Sequence, residues 1–312
     1  MNLRRFASAL TLLTCLTASS ALAGTGMVTL DLNKFYDSNA NGIFDGDPPQ
    51  RGVRIAVKYT PPGGTQQVQT IVTDYRGFAW VMIPAGSTVL VCERIPLSAT
   101  QGQVWVQTMP NASTTVEGAS VVLVGDQYCY AGTAPLTGGV ALSFGNVCVG
   151  GEGHTPGFWQ NNNGEAILAA NDPGWRNVLN ALHLRDGAGN DFDLPGGSFD
   201  QAYGLFEDWI LSDATSMSYK LSSHLAASVL NVTYGFVPAT SLVYAPGTQS
   251  ANDAGFANVL DLIAEADAEL ALHGTAFPGD AWHDYQEALK DALVGVNEGG
   301  NFAQEVSCGI DC

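Results

Sequence analysis

The stretch that decides the fold of the first half is residues 27–47, which read MVTLDLNKFYDSNANGIFDGD. From Met27 to Phe35 apolar and polar side chains alternate, a pattern typical of a β-strand with one buried face. From Asp37 to Asp47 the residues are mainly Asp, Asn and Gly, which favour turns. A half-buried strand that leads into a long polar loop predicts β-structure at this end of the chain.

The same alternation continues toward residue 150 in short runs separated by Gly, Pro, Asn and Asp. Many short strands with turns between them are typical of a β-sandwich. We therefore predict an all-β sandwich domain over residues 24–150. Its predicted strands are Met27–Phe35, Val53–Tyr59, Gln67–Thr73, Phe78–Ile83, Thr88–Arg94, Gln103–Thr108, Ser120–Val124 and Val140–Val147.

Beyond the Gly-rich segment 150–153 the hydrophobic period becomes helical, and residues 151–312 are predicted to form a mainly α-helical domain. This half is also the acidic one. It holds 4 basic and 22 acidic side chains, against 6 and 8 in residues 24–150. The predicted helices are Phe199–Leu211, Ser216–Leu230, Asp253–Leu272 and Ala281–Val294.

Composition and the first residues bound the class of protein. Residues 1–23 carry basic residues, an apolar stretch and a small-residue cleavage site before Gly24, so we predict a signal peptide and a secreted, extracellular or cell-surface bacterial protein. The net charge of −18 disfavours nucleic acid and anionic membranes as partners. No later apolar run has the roughly 18 residues of a membrane span.

The loop after the first strand has the ligand spacing of a calcium site. Side-chain oxygens at alternate positions precede Gly42, which allows a sharp turn, and a backbone carbonyl and further acids follow. Pro48 stands where a bidentate Glu is expected, so an Asn/Asp/Gly turn without metal is the alternative. The predicted calcium ligands are Asp37, Asn39, Asn41, Ile43, Asp45 and Asp47.

Residues 34–45, followed by Gly52-Val53-Arg54-Ile55-Ala56-Val57, resemble the B-type repeats of serine-aspartate-repeat surface adhesins and related collagen-adhesin B modules. The resemblance covers roughly residues 27–95. It implies an immunoglobulin-like or prealbumin-like sandwich, stiffened by calcium and used as a stalk or spacer. Some such modules form a Lys–Asn isopeptide bond, but the sequence assigns no pair to it.

The second half also resembles a known group. His154-Thr155-Pro156-Gly157-Phe158-Trp159-Gln160-Asn161 is similar to the segment that opens an uncharacterised domain of exported bacterial proteins, and residues 219–231 resemble a helix of that domain. Gln160 replaces the usual Lys. The resemblance implies architecture and export, and it supplies no reaction.

The cysteines fit an oxidising compartment. Cys15 belongs to the predicted signal peptide, so an odd number remains. We prefer a Cys129–Cys148 pair. An intermolecular bond by the odd cysteine is an alternative, as is a small Cys308–Cys312 ring. The candidates for disulfides are Cys92, Cys129, Cys148, Cys308 and Cys312.

Other candidate sites have more ordinary explanations. Residues 186–193 have Gly-x-Gly-x-Asp spacing, which suggests a second metal loop. The calcium-binding repeats that use this spacing require several stacked copies, and this chain has one. His154 and His224 are better explained by packing than by metal binding or catalysis. The ligands of the second metal loop would be Asp186, Asn190, Asp191 and Asp193.

The sequence contains no nucleophile elbow, catalytic-cysteine signature or phosphate loop. We therefore expect a non-enzymatic protein that serves adhesion or structure, with calcium as its cofactor. Its partners would be a second copy of the chain, or a surface glycan or protein. The alternatives are a subunit of a self-assembling extracellular fibre and a calcium-dependent, polysaccharide-acting enzyme or glycan binder.

Overall fold

The computed structural model describes residues 26–95, 103–151, 153–305, 307 and 308. The predicted signal peptide and Cys312 lie outside this range. Within it, the first half consists of strands. They are β1 Met27–Tyr36, β2 Arg54–Thr60, β3 Gln67–Val72, β4 Phe78–Pro84, β5 Thr88–Arg94, β6 Val104–Met109, β7 Ala119–Val124, β8 Gln127–Thr133 and β9 Gly139–Val149.

These strands form a four-stranded sheet in the order β4-β1-β9-β6 and a five-stranded sheet in the order β3-β2-β5-β8-β7. Neighbouring strands are antiparallel, except that β1 and β9 run parallel. Inward-facing residues of both sheets are buried in one shared core, to which the edge strands β3 and β7 contribute only partly buried residues. Leu30 and Leu32 of β1, Ile55 of β2, and Leu142 and Phe144 of β9 belong to it. The prediction of β-sheet structure in the first half is confirmed.

The second half is mainly helical, as predicted, with one short β-hairpin. Its helices surround α5, which is buried along most of its length. The elements are α1 Pro156–Gln160, α2 Asn162–Ala170, α3 Gly174–Leu179, α4 Phe199–Ile210, α5 Met217–Thr233, β10 Leu242–Tyr244, β11 Phe256–Asn258, α6 Val259–Leu272 and α7 His283–Glu298. Within the described part of the chain, no helix is both long and apolar enough to cross a membrane.

Two element predictions are wrong. The sequence pattern predicts no strand at Gln127–Thr133, yet these residues form β8, which lies inside the five-stranded sheet. The predicted helix Asp253–Leu272 begins only at Val259, because residues 256–258 pair with β10. The Asn258 side chain accepts a hydrogen bond from the Leu260 amide and caps the helix at that point.

The C-terminal segment returns from the helical half to the sandwich and joins the two. Phe302 forms a bridge with Val243 of β10, and Ala303 forms one with Val149 of β9. The Tyr36 hydroxyl donates to the Gln304 carbonyl. A third hydrophobic cluster lies at this junction, with buried residues from both halves. We call residues 301–308 the C-terminal strap.

The disulfides differ from the preferred pairing. Cys92 bonds to Cys129 across the neighbouring strands β5 and β8, with a Cα–Cα distance of 4.7 Å. Cys148 bonds to Cys308 of the strap, with a Cα–Cα distance of 5.9 Å. The predicted Cys129–Cys148 pair is therefore wrong, because those residues lie in different sheets. The suggested Cys308–Cys312 ring is also excluded.

Candidate functional site

Three polar side chains lie buried in the sandwich. Lys34 follows Leu30 and Leu32 on the inward face of β1, and Glu93 follows Val91 on the inward face of β5. Asn146 continues the inward series of Phe144 on β9. The three residues are 2%, 1% and 1% exposed. Side chains of this kind rarely lie fully buried unless they are paired, so their meeting here defines a candidate site.

The contacts of Lys34 offset only part of the cost of burying its charged amine. Its Nζ donates to the Phe35 carbonyl at 2.8 Å and lies 3.8 Å from Oε1 of Glu93. Burial lowers the pKa of Lys34 to about 8, against the opposing charges of Glu93 and Asp37. About a tenth of this amine is therefore unprotonated at pH 7, far more than for a lysine of ordinary pKa, and the unprotonated form can act as a nucleophile.

Glu93 has the complementary shift. Burial raises the pKa of its carboxyl group, while Lys34 and the nearby Asn146 amide act in the opposite direction. Neither carboxyl oxygen has a hydrogen-bond partner among the described residues. An unsatisfied buried polar group costs about 1–3 kcal/mol, so burial of this carboxyl group destabilises the fold unless another interaction compensates for it.

Asn146 completes the set. Its amide nitrogen and oxygen also lack partners within the described structure. Its main-chain carbonyl accepts a hydrogen bond of 2.9 Å from the Asp37 amide, which fixes the backbone of β9 against the end of β1. In the parallel register Lys34 lies opposite Phe144, two residues before Asn146. Both side chains thus leave neighbouring strands on the same face.

The predicted calcium loop begins three residues after Lys34. Asp37 is fully buried, and its carboxylate accepts from the amides of Asn41 and Gly42 at 3.1 and 2.7 Å. Three further hydrogen bonds of side chains close the loop. Asn39 accepts from the Asn41 amide at 3.2 Å, and the Asn41 side chain accepts from the Ile43 amide at 2.8 Å and donates to Asp45 at 2.9 Å.

Asp47 closes the other end of the loop. Its Oδ1 accepts from the Ser38 amide and hydroxyl at 3.2 Å each, whereas its Oδ2 is buried without a partner in the described structure. Burial raises the pKa of Asp47, and the neighbouring Asp37 and Asp45 raise it further despite the Ser38 contacts. Acids that repel one another around an unpartnered oxygen fit a divalent cation, which would neutralise them.

The second predicted metal loop satisfies much of its own polar surface. One oxygen of Asp186 accepts from the amides of Ala188 and Asn190 at 2.9 Å each, and the Asn190 side chain donates to the other at 3.1 Å. Asp191 forms a salt bridge with Arg185. Asp193 is exposed on the far side of the buried Phe192. Hydrogen bonds already occupy Asp186, so we derive no metal site here.

The two histidines occupy packed positions. The ring of His154 stacks on Phe158 with centroids 3.7 Å apart, and its backbone exchanges hydrogen bonds with the Asn231 side chain. Burial lowers the pKa of His224 to about 4, with Lys290 acting in the same direction. A third histidine was not singled out from the sequence. The partly buried His283 lies with the exposed Asp284 and Glu287 at the start of α7.

The search against family models gives no match, and no curated protein matches either. Among solved structures the chain is similar to the shaft pilin SpaA from Lactobacillus rhamnosus GG. The identity is 15%, the match covers 39% of this chain and 49% of the pilin, and the TM-score is 0.23. At that level of similarity we transfer nothing from the pilin to this chain.

Proposed function

We propose that this chain is an exported, non-enzymatic structural protein of the cell surface or extracellular matrix, whose sandwich closes on itself through an amide bond between Lys34 and Asn146. The observation that supports this proposal is the burial of Lys34, Glu93 and Asn146 together, with the side-chain polar atoms of Glu93 and Asn146 lacking a hydrogen-bond partner among the described residues. A covalent bond explains why the fold tolerates three such costly side chains.

The reaction needs no external reagent. The unprotonated Nζ of Lys34 attacks Cγ of Asn146, while protonated Glu93 donates a hydrogen bond to the amide oxygen and stabilises the developing negative charge. Glu93 then carries a proton from Nζ to the leaving nitrogen. The bond between Cγ and Nδ2 breaks, ammonia departs, and Glu93 regains its starting protonation state. The buried site excludes water, which would otherwise compete with the amine.

The same proposal includes calcium. The fit rests on the unpartnered Oδ2 of Asp47 beside Asp37 and Asp45. The residues that would hold the ion are Asp37, Asn39, Asn41, Asp45, Asp47 and the carbonyl of Ile43. A bound divalent cation would offset the repulsion between these acids and fix the loop that links β1 to β2, so that metal binding adds to folding free energy.

The decisive experiment is an intact-mass measurement on the reduced, folded protein. We expect a mass lower than that of the mature sequence by one ammonia molecule, and a proteolytic fragment in which the peptides of Lys34 and Asn146 are joined. Glu93→Gln should retain the fold and lose the crosslink, because it removes the proton carrier.

The matched control is Lys58→Met, which removes an exposed lysine from strand β2 of the five-stranded sheet and should leave the mass deficit intact. Lys34→Met should abolish the deficit. An unmodified mass in a protein whose circular dichroism shows a folded sandwich would refute the proposed bond. The alternatives of a fibre subunit and of a polysaccharide-acting enzyme or glycan binder remain predictions from the sequence.

A further inference from the structure

The disulfide of the C-terminal strap closes nearly all of the second half into one covalent loop. Cys148 stands near the end of β9, and Cys308 is the last residue of the strap, at a sequence separation of 160 residues. All seven helices of the described structure lie between these two cysteines. Tension that enters at Cys148 and leaves at Cys308 therefore passes through one disulfide and bypasses the helices.

The proposed amide bond would extend this path toward the N-terminus. Asn146 stands two residues before Cys148 on β9, so a force applied to β1 would pass from Lys34 to Asn146 and then to Cys148. Residues 35–145 and 149–307 would lie on side loops. The part of this path that crosses the sandwich rests on the proposed function, whereas the part that bypasses the helices rests on the disulfide alone.

The hydrogen bonds between β1 and β9 resist force along the same path. β1 and β9 are parallel and in register from Thr29 to Tyr36. A pull on the start of β1 against the end of β9 slides the strands lengthwise, so their hydrogen bonds resist together rather than one at a time. The strap adds a bond of 2.9 Å from the Gln304 amide to the Cys148 carbonyl.

We infer that the molecule transmits tension between its first strand and Cys308, and that the helical half is a head carried outside the path of force. Such a head stays folded while the module is stretched, so its surface is available to a partner under tension. The helical half would then present its surface to a partner, while the sandwich carries the mechanical load.

Single-molecule stretching tests the inference directly. Handles are attached before Gly26 and after Cys312 of the mature chain, and the native protein is compared with Lys34→Met and with a Cys148→Ser/Cys308→Ser double variant. Unfolding of the helical half would release about 55 nm of chain at full extension. Unfolding of the sandwich would release about 25 nm, because the Cys92–Cys129 disulfide withholds the residues that it encloses.

We expect the oxidised native protein to show neither release and Lys34→Met to show only the shorter one. The double variant should add the longer release. If the double variant fails to fold, reduction of the native protein serves in its place. A release near 55 nm from oxidised native protein would overturn the inference. A native protein that shows only the release near 25 nm would refute the amide bond and leave the shielded head supported.

Discussion

At the residue scale, Lys34 departs from the rule that charged side chains point outward. Its position in the alternation of β1 was visible in the sequence, because it shares parity with Leu30 and Leu32. The same is true of Glu93 after Val91. The sequence pattern marked neither residue as a candidate for a site. It could not bring them together, because the neighbours of β1 and β5 are decided by sheet topology, not by local pattern.

The depressed pKa of Lys34 makes a prediction for the variant Asn146→Ala, in which the amine stays free. The unfolded chain binds the lysine proton up to a pH near 10.5, whereas the folded chain releases it near 8. The unfolded state therefore holds more protons between these values, and the free energy of unfolding should rise with pH across that window. We expect a gain of about 2 kcal/mol between pH 7.5 and 10, measured by urea denaturation at these two values.

The double variant Lys34→Met/Asn146→Ala serves as the reference, because tyrosines and other lysines contribute equally to both proteins. The difference between the two variants isolates Lys34. A pH dependence that is the same in both would show that the amine keeps its ordinary pKa in the folded sandwich, and would remove the basis for its reactivity near neutral pH.

At the scale of elements, periodicity predicted most strands and the long helices because their buried faces are regular. Periodicity failed to locate the start of α6, where local hydrogen bonds compete with the helical pattern. The Asn252 side chain accepts from the amides of Ala254 and Phe256, and Gly255 has a φ of +85°, so the chain turns there before α6 begins. β8 was missed because Gly132 and flanking polar residues interrupt its short alternation.

The contact of α5 with α7 is a buried polar network, which the apolar appearance of α5 does not suggest. Asn297 of α7 donates to the His224 carbonyl at 2.9 Å and accepts from Ser228 and Asn231 at 2.9 and 3.0 Å. The charged groups that act on His224 are Lys290 and Asp291 of α7. The helix pair is thus specific in register, because a slide of one helix would leave these groups unpaired.

His224 should make this helix pair sensitive to acid. Its pKa of about 4 in the folded state lies below the 6.5 of an ordinary histidine, so the unfolded state takes up the proton first as the pH falls. Stability should decline between pH 6.5 and 4 by about 3 kcal/mol more in the native protein than in His224→Gln. Chemical denaturation at pH 7 and 4.5 measures this difference, and equal losses in both proteins would contradict it.

At the scale of the whole molecule, the junction between the halves was beyond the reach of sequence reasoning. Cys148 finds its partner 160 residues away, and only the return of the strap decides that pairing. The predicted calcium loop also belongs to the junction. The Asn252 side chain donates to the Ala40 carbonyl at 2.8 Å, and a Cβ on Gly42 would come within 3.3 Å of Ala254. The loop therefore contacts the helical half as well as the sandwich.

Removal of calcium should consequently lower the melting temperature of the entire molecule. A ligand at one hundred times its dissociation constant stabilises by about 2.7 kcal/mol, which corresponds to roughly 4–5 °C for a protein of this size. Differential scanning calorimetry with calcium and with chelator measures the shift. Asp37→Ala should abolish it, whereas Asp126→Ala, in the turn between β7 and β8, should preserve it. Identical melting curves for the native protein in both conditions would reject the calcium site.

Because β1 lies between β4 and β9, its two edges become paired at different times during synthesis of the chain. As the polypeptide leaves the ribosome, β1 can pair with β4 early, but its second edge stays bare until residues 139–149 have been made. An exposed strand edge is a template for pairing with another chain, and contacts between distant segments form slowly. A nascent or prematurely terminated chain is therefore the most aggregation-prone form of this protein, and arrival of its ninth strand ends that vulnerable period.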